Sequence, residues 1–300
     1  MGHFLNKLFK KASFYCWASL YSTIMRNFLV LDLLMKTNLK ISHLICIISL
    51  ALGTSKSAAN ESLHELEVGV GGNIKSVAHT DHENEKLNFH IHPLWESHYV
   101  TEGRDNLPGS ALASIAGEIN YNDFTFIPWL ATGTDNEYDE LNLNAIYSTE
   151  LAEHLTLYAG YNHIKAREEG VNSHDNELSL DISYAYDWDI HAIASIYHSL
   201  SLSGSFIELA ITKEYAFSDL MRLELQTAAG FNSGYVSDGH NGLNNVKLAA
   251  NLSYQLLNNV ILSGYASYSV TINKDAAHYS GDEYLRSLFW AGLGFSYQFN

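Results

Sequence analysis

The stretch LRSLFWAGLGFSYQF, residues 285–299, decides how the chain is read. Taken at every second position it separates into two rows. Leu285, Ser287, Phe289, Ala291, Leu293, Phe295, Tyr297 and Phe299 form a nearly all-apolar row that ends in aromatics. Arg286, Leu288, Trp290, Gly292, Gly294, Ser296 and Gln298 carry the charge, the amide, a hydroxyl and the glycines. A period of two sends these rows to opposite faces of a β-strand. The length suits a strand that crosses a bilayer at a tilt, about 9–11 residues, with some overhang.

The same period runs back through the chain. Between residues 137 and 271, a period of 3.6 fits nowhere better than a period of two. The cleanest case is 177–186, where Leu178, Leu180, Ile182, Tyr184 and Tyr186 alternate with Glu177, Ser179, Asp181 and Ser183. Further strands are predicted at 88–100, 111–121, 124–131, 155–165, 188–200, 205–217, 220–231, 243–256 and 260–271, with another opening near Glu137. Residues 88–100 would place Phe89, Ile91, Trp95 and Tyr99 on one face, and His90, His92, Glu96 and His98 on the other. Pro128 falls inside 124–131, and its missing N–H predicts a bulge or a place near a rim.

Connections alternate in length. Short turns are predicted at Asn122 and Asp123, at 150–154, at Asp187, at Ser218 and Asp219, and at Asn258 and Asn259. Longer polar loops fall between them, at 103–109, 167–176, 232–242 and 273–283. Short turns on one rim and longer loops on the other describe an all-β protein, a transmembrane up-and-down antiparallel β-barrel. Parity from the last strand back to residue 88 gives twelve strands, and residues 88–300 form the barrel. A further segment at 63–75 would make an odd number, so residues 60–87 are expected to be an N-terminal extension that could fold into the lumen.

Composition narrows the partners. Charged residues are 17% of the chain and 3 prolines stand against 19 tyrosines, which suits long strands with aromatic rims. The net charge of −16 excludes nucleic acid as an expected partner. From Met35, the basic residues Lys36 and Lys40 precede an apolar run over 41–53, and Ser57, Ala58 and Ala59 supply small residues for cleavage. Residues 35–59 therefore read as a Sec signal peptide. Translation is expected to begin at Met35, with residues 1–34 a misassigned start; the rival is an anchor at 15–34, interrupted by Arg26 and Asp32. A mature chain from Asn60 has 10 Lys and Arg against 32 Asp and Glu, a net charge of −22. Both cysteines, Cys16 and Cys46, precede it, which leaves neither a disulfide framework nor a cysteine metal site.

Periodicity alone also fits a soluble lipocalin-like barrel, with the apolar row turned inward. The signal peptide and the aromatic ending favour the membrane. The final strand resembles the C-terminal assembly signal of bacterial outer-membrane barrels, with Phe295, Tyr297 and Phe299 as the residues that the barrel-assembly machinery would read; Asn300 is one residue more than that pattern has. SHYVTEG, residues 97–103, is similar to the S-x-Y-V-x-x-G segment of the TorF-type porin family, and Tyr138, Asp139, Glu140 and Leu141 match that family's acidic strand opening. The family has an aromatic–Arg pair where this chain has Thr101 and Glu102. The resemblance implies an outer-membrane porin.

On the polar rows, Glu118, Glu140, Glu177, Asp181, Glu208 and Glu224, with Arg222, Lys247 and Arg286 as counter-charges, are the candidate lumen lining. Such a lining suits passive diffusion of small polar solutes with a weak cation preference. The alternatives are cross-strand pairing that fills a closed, non-conducting barrel, an adhesive barrel, and a hydrolase. No G-x-S-x-G occurs, so no catalytic residue is assigned. His79, His82, His90, His92 and His98 lie near Glu83, Glu85 and Glu96, and His90 and His92 share a strand face. They are expected to line a polar surface without metal, and no cofactor is expected. The Asp238–Gly242 segment reads as a surface loop.

Overall fold

The computed structural model describes residues 66–68, 74–76 and 87–299. The barrel strands are β1 (Asn88–Glu96), β2 (Leu112–Tyr121), β3 (Phe124–Gly133), β4 (Tyr138–Ala152), β5 (Leu155–Glu168) and β6 (Val171–Tyr186). They continue as β7 (Ile190–Ser199), β8 (Gly204–Ser218), β9 (Met221–Ser233), β10 (Gly242–Leu257), β11 (Val260–Thr271) and β12 (Leu288–Phe299). Among the described residues these twelve close into one antiparallel barrel, each strand paired with its neighbours in sequence. The seam joins β12 to β1, with Phe299 opposite Phe89 and Gly292 opposite Glu96. The segment ahead of the barrel forms its own ladder, Leu66–Val68 against Ile74–Ser76, separate from the barrel sheet. The predicted signal peptide and the rival anchor lie outside the described residues.

The two prolines inside strands interrupt pairing without shifting it. Between β2 and β3 the ladder runs from Ala116–Trp129 straight to Ile119–Phe126, so the rungs beside Pro128 are missing while the register holds. Pro93 does the same at the seam, where Gly294–Leu94 is followed by Tyr297–Ile91. A proline lacks the N–H for one rung, and the neighbouring rungs keep the strand in line. The bulge expected at Pro128 is therefore absent from this ladder. Register shifts fall instead between Glu150 and Ala152, Ala216 and Ser218, Gly230 and Phe231, and Gln255 and Leu257.

Several predicted boundaries move. The 167–176 loop is a two-residue turn at Glu169 and Gly170, both with positive φ, as tight hairpin turns require. Trp188 and Asp189 also have positive φ and belong to a turn, so β7 starts at Ile190. The last strand begins at Leu288; Leu285 is fully buried in the preceding loop, bridged to Arg104 rather than facing outward.

Side-chain placement fixes which face is which. On β12, Phe289 is 60% exposed and Leu293 67%, with Phe295 and Phe299 on the same outer row. On β6, Leu178, Leu180 and Ile182 are exposed while Glu177 is only 3% exposed. At the short-turn rim, outward aromatics meet in tilted or edge-on pairs: Phe89 with Phe299 at 4.8 Å, Tyr184 with Tyr186 at 4.5 Å, and Phe124 with Tyr147 at 5.1 Å between centroids.

Candidate functional site

The lumen is crossed by a loop. Residues 97–111, between β1 and β2, turn inward at Ser97, whose N–H donates to the Ala291 carbonyl and whose hydroxyl accepts from the Ala291 N–H. Tyr99, read from alternation as an outward residue of a longer strand, is buried inside. Its hydroxyl donates to Glu140 Oε2 at 2.7 Å, and Tyr138 donates to the same oxygen. Beneath it, Leu107, Leu112, Ala116, Ile127 and Trp129 make a buried apolar seat. That seat explains why β3 is apolar on both faces: Phe126 and Leu130 point out, while Ile127 and Trp129 hold the loop. Val100–Thr101 then pairs with Arg104–Asp105 in a tight hairpin. At its tip Gly103 has φ +76, and a Cβ there would lie 2.7 Å from the Asn245 side chain of β10. Strands β4 and β10 are half a barrel apart, so residues 99–103 span the lumen from wall to wall.

Arg104 and Asp282 knit this loop to two others, 234–241 and 272–287. Arg104 Nε donates to the Gly281 carbonyl at 3.2 Å and Nη2 to Asp282 Oδ1 at 3.3 Å. With its amide oxygen turned toward the guanidinium, Asn244 accepts from Nη1 at 2.8 Å. Asp282 is fully buried and also accepts the His240 N–H at 3.1 Å, the Asp275 N–H at 2.9 Å and the His240 ring at 2.6 Å. Burial acts to raise the Asp282 carboxyl, but the Asp275 and His240 groups together hold it below its ordinary value. Burial pushes the Glu102 carboxyl up, with Thr101 and Arg104 acting the other way and Glu140 adding to the rise. Burial also raises the Tyr99 and Tyr235 hydroxyls, so both stay protonated and donate.

The candidate lumen residues fall into two zones. Near the loops, Glu140 accepts from Tyr99 and Tyr138, and Glu177 accepts from Tyr235. Glu96 accepts from Tyr265. Toward the short-turn rim the wall is hydrophilic. Asp181 stands between Tyr158 and Ser195. At mid-wall Lys247 Nζ lies 3.9 Å from Glu208, and nearer the short-turn rim Arg222 lies 3.4 Å from Glu214, with Glu224 across the ladder from Glu214. Arg286 is in the loop rather than on β12, half-exposed and 3.9 Å from Asp105.

Glu118 is brought to the histidines of β1, directly opposite His90 in the ladder. Its Oε2 is 3.0 Å from His92 Nε2, while His92 Nδ1 is 2.7 Å from Ser296 Oγ. This is a serine–histidine–carboxylate chain in connectivity. A hydrolase also needs donors aimed at an oxyanion, and strand N–H groups around Ser296 lie in the plane of the sheet rather than toward the lumen. These contacts hold the three side chains together across β12, β1 and β2.

Sequence reading missed Tyr99, Arg104, His240 and Asp282 as site residues. The available signal for Tyr99 was the loop chemistry that begins at Ser97. The other three meet only because separate loops fold over one another.

No protein-family model and no curated protein matches the chain. Among solved structures, a KdgM porin is similar with TM-score 0.49 and 11% identity, over 70% of this chain and 99% of that one. A NanC porin gives TM-score 0.47 and 11% identity over 70% of this chain and all of that one. The COG4313 outer membrane channel from Pseudomonas putida F1 gives 0.46 and 11%, over 75% of this chain and all of that one.

Proposed function

We propose that this chain is a bacterial outer-membrane channel that passes small polar solutes by passive diffusion, with a weak preference for cations. One observation carries the reading. Large apolar side chains on the outer face are exposed, while Glu118, Glu140 and Glu177 are buried on the inner face. A water-soluble barrel distributes them the opposite way, and soluble monomers rarely expose apolar patches beyond a few hundred Å². Lipid satisfies the outer face, while Tyr99, Tyr138, Tyr235 and His92 engage the inner carboxyls and the rest of the polar wall is left for a hydrated passage. Below the crossing loop, Glu118, Asp181, Glu208, Glu214 and Glu224 outnumber Arg222 and Lys247, which favours cations electrostatically.

Export through the Sec pathway by the 35–59 segment follows from this reading. So does assembly through the outward Phe295, Tyr297 and Phe299 of β12. The 97–103 segment supports a TorF-type assignment, because each residue of its pattern has a use: Ser97 anchors to Ala291, Tyr99 caps Glu140, Val100 is buried, and Gly103 makes the close approach. We read the protein as a non-enzyme, with no turnover of acyl esters expected.

A second reading, a closed structural barrel, is favoured by the loop that spans the lumen. Planar-bilayer recording of the purified protein decides between them. The channel reading predicts discrete conductance steps and, in a KCl gradient, a reversal potential displaced modestly toward the potassium value. Displacement toward chloride would contradict the cation preference, and silence would favour the closed barrel.

A further inference from the structure

The lumen wall toward the short-turn rim holds three metal-ligating groups together. We propose that His90, His92 and Glu118 form a binding site for a divalent transition-metal ion of the zinc class. One ligand atom from each lies within 4.8 Å of the others. The two imidazoles project from alternate positions of β1 with rings nearly parallel, 7° apart and 6.0 Å between centroids. Glu118 faces them from β2 through the His90 rung.

Ligands at 2.0–2.2 Å from a tetrahedral zinc ion sit about 3.4 Å apart, so side-chain rotation of about an ångström closes this set. Two imidazoles and one carboxylate suit zinc rather than calcium or magnesium, which prefer all-oxygen shells. They leave a fourth position facing the lumen for water or solute.

The surrounding residues orient the set. Asn120 Nδ2 holds Glu118 Oε1, leaving Oε2 for the cluster, and Thr125 Oγ1 donates to Asn120 Oδ1 at 2.7 Å. Ser296 Oγ engages His92 Nδ1 and keeps Nε2 directed at Glu118. The supporting chain Thr125–Asn120–Glu118–His92–Ser296 runs across β3, β2, β1 and β12. Such outer partners fix the tautomer and orientation of metal-binding histidines. When the metal enters, Nε2 becomes the ligand and Nδ1–H donates to Ser296.

The site stands apart from the channel reading, and its test does not depend on conductance. The protein is purified in detergent from outer membranes and titrated with Zn²⁺ by calorimetry. The expected result is one tight Zn²⁺ per chain, weakened by at least about tenfold in His92→Ala and in Glu118→Gln. Ser296→Ala should weaken it less, and His174→Ala, at an exposed position on β6, should leave it unchanged. Co²⁺ should give a visible absorption band in the native protein that is lost in Glu118→Gln. That variant keeps the shape of the glutamate, so it carries the test should His92→Ala fail to fold. Absence of stoichiometric Zn²⁺ binding would overturn the proposal. So would binding equal in the native protein and Glu118→Gln, which is the result for a histidine held by hydrogen bonds alone.

Discussion

At the residue scale, the loop inside the lumen holds two carboxyls shifted in opposite directions. Glu102 is raised from 4.5 and Asp282 lowered from 3.8. A raised carboxyl favours the inserted loop fully below its unfolded value and loses that contribution as pH climbs through its folded value. A lowered carboxyl contributes above its unfolded value and loses it as pH falls through the folded one. The loop is therefore held best in mildly acid medium, between those limits, and loosens toward alkaline pH. Arg104 and Thr101, which oppose the Glu102 shift, limit the size of the effect, while Glu140 enlarges it. Mean current should be larger at about pH 8 than at about pH 5. Glu102→Gln should flatten that dependence, and an unchanged profile in the variant would assign the titration elsewhere. In sequence, Glu102 was visible only as a departure from a family pattern, because its burial depends on a loop turning inward.

At the scale of elements, strands were legible because alternation is local: the outward row of β6 is exposed as its sequence requires. Loops were not. Nothing in the 97–111 segment, taken alone, indicates that Tyr99 reaches Glu140 on β4 or that Arg104 reaches Asp282 in the last loop. Those contacts exist only after the barrel has closed and brought three loops to one rim. The Arg104–Asp282 pair is buried, so removing one partner leaves a charge short of a counter-ion, a loss on the order of 3–5 kcal/mol for such pairs. Arg104→Ala should release the loop, raising single-channel conductance and exposing residues 97–111 to external protease while the strands remain intact. Conductance and cleavage equal to the native protein would show that the apolar seat around Trp129 suffices to hold it.

At the scale of the whole molecule, strand number, antiparallel order and barrel class are all legible in the sequence, since parity and loop alternation count hairpins. What alternation could not supply is the sense of the barrel: the same pattern serves a soluble barrel turned inside out. The folded barrel removes that ambiguity: Leu178, Leu180 and Ile182 lie outside and Ser179, Asp181 and Ser183 on the opposite face. Residues 60–300 contain no cysteine, so single probes can be placed along the strands at will. The deciding measurement attaches a fluorophore to one cysteine at a time from 178 to 183 in protein reconstituted with brominated lipid. Quenching should be strong at 178, 180 and 182 and weak at 179, 181 and 183. Equal quenching along the row, or the reverse alternation, would contradict a barrel that turns its apolar face to the bilayer.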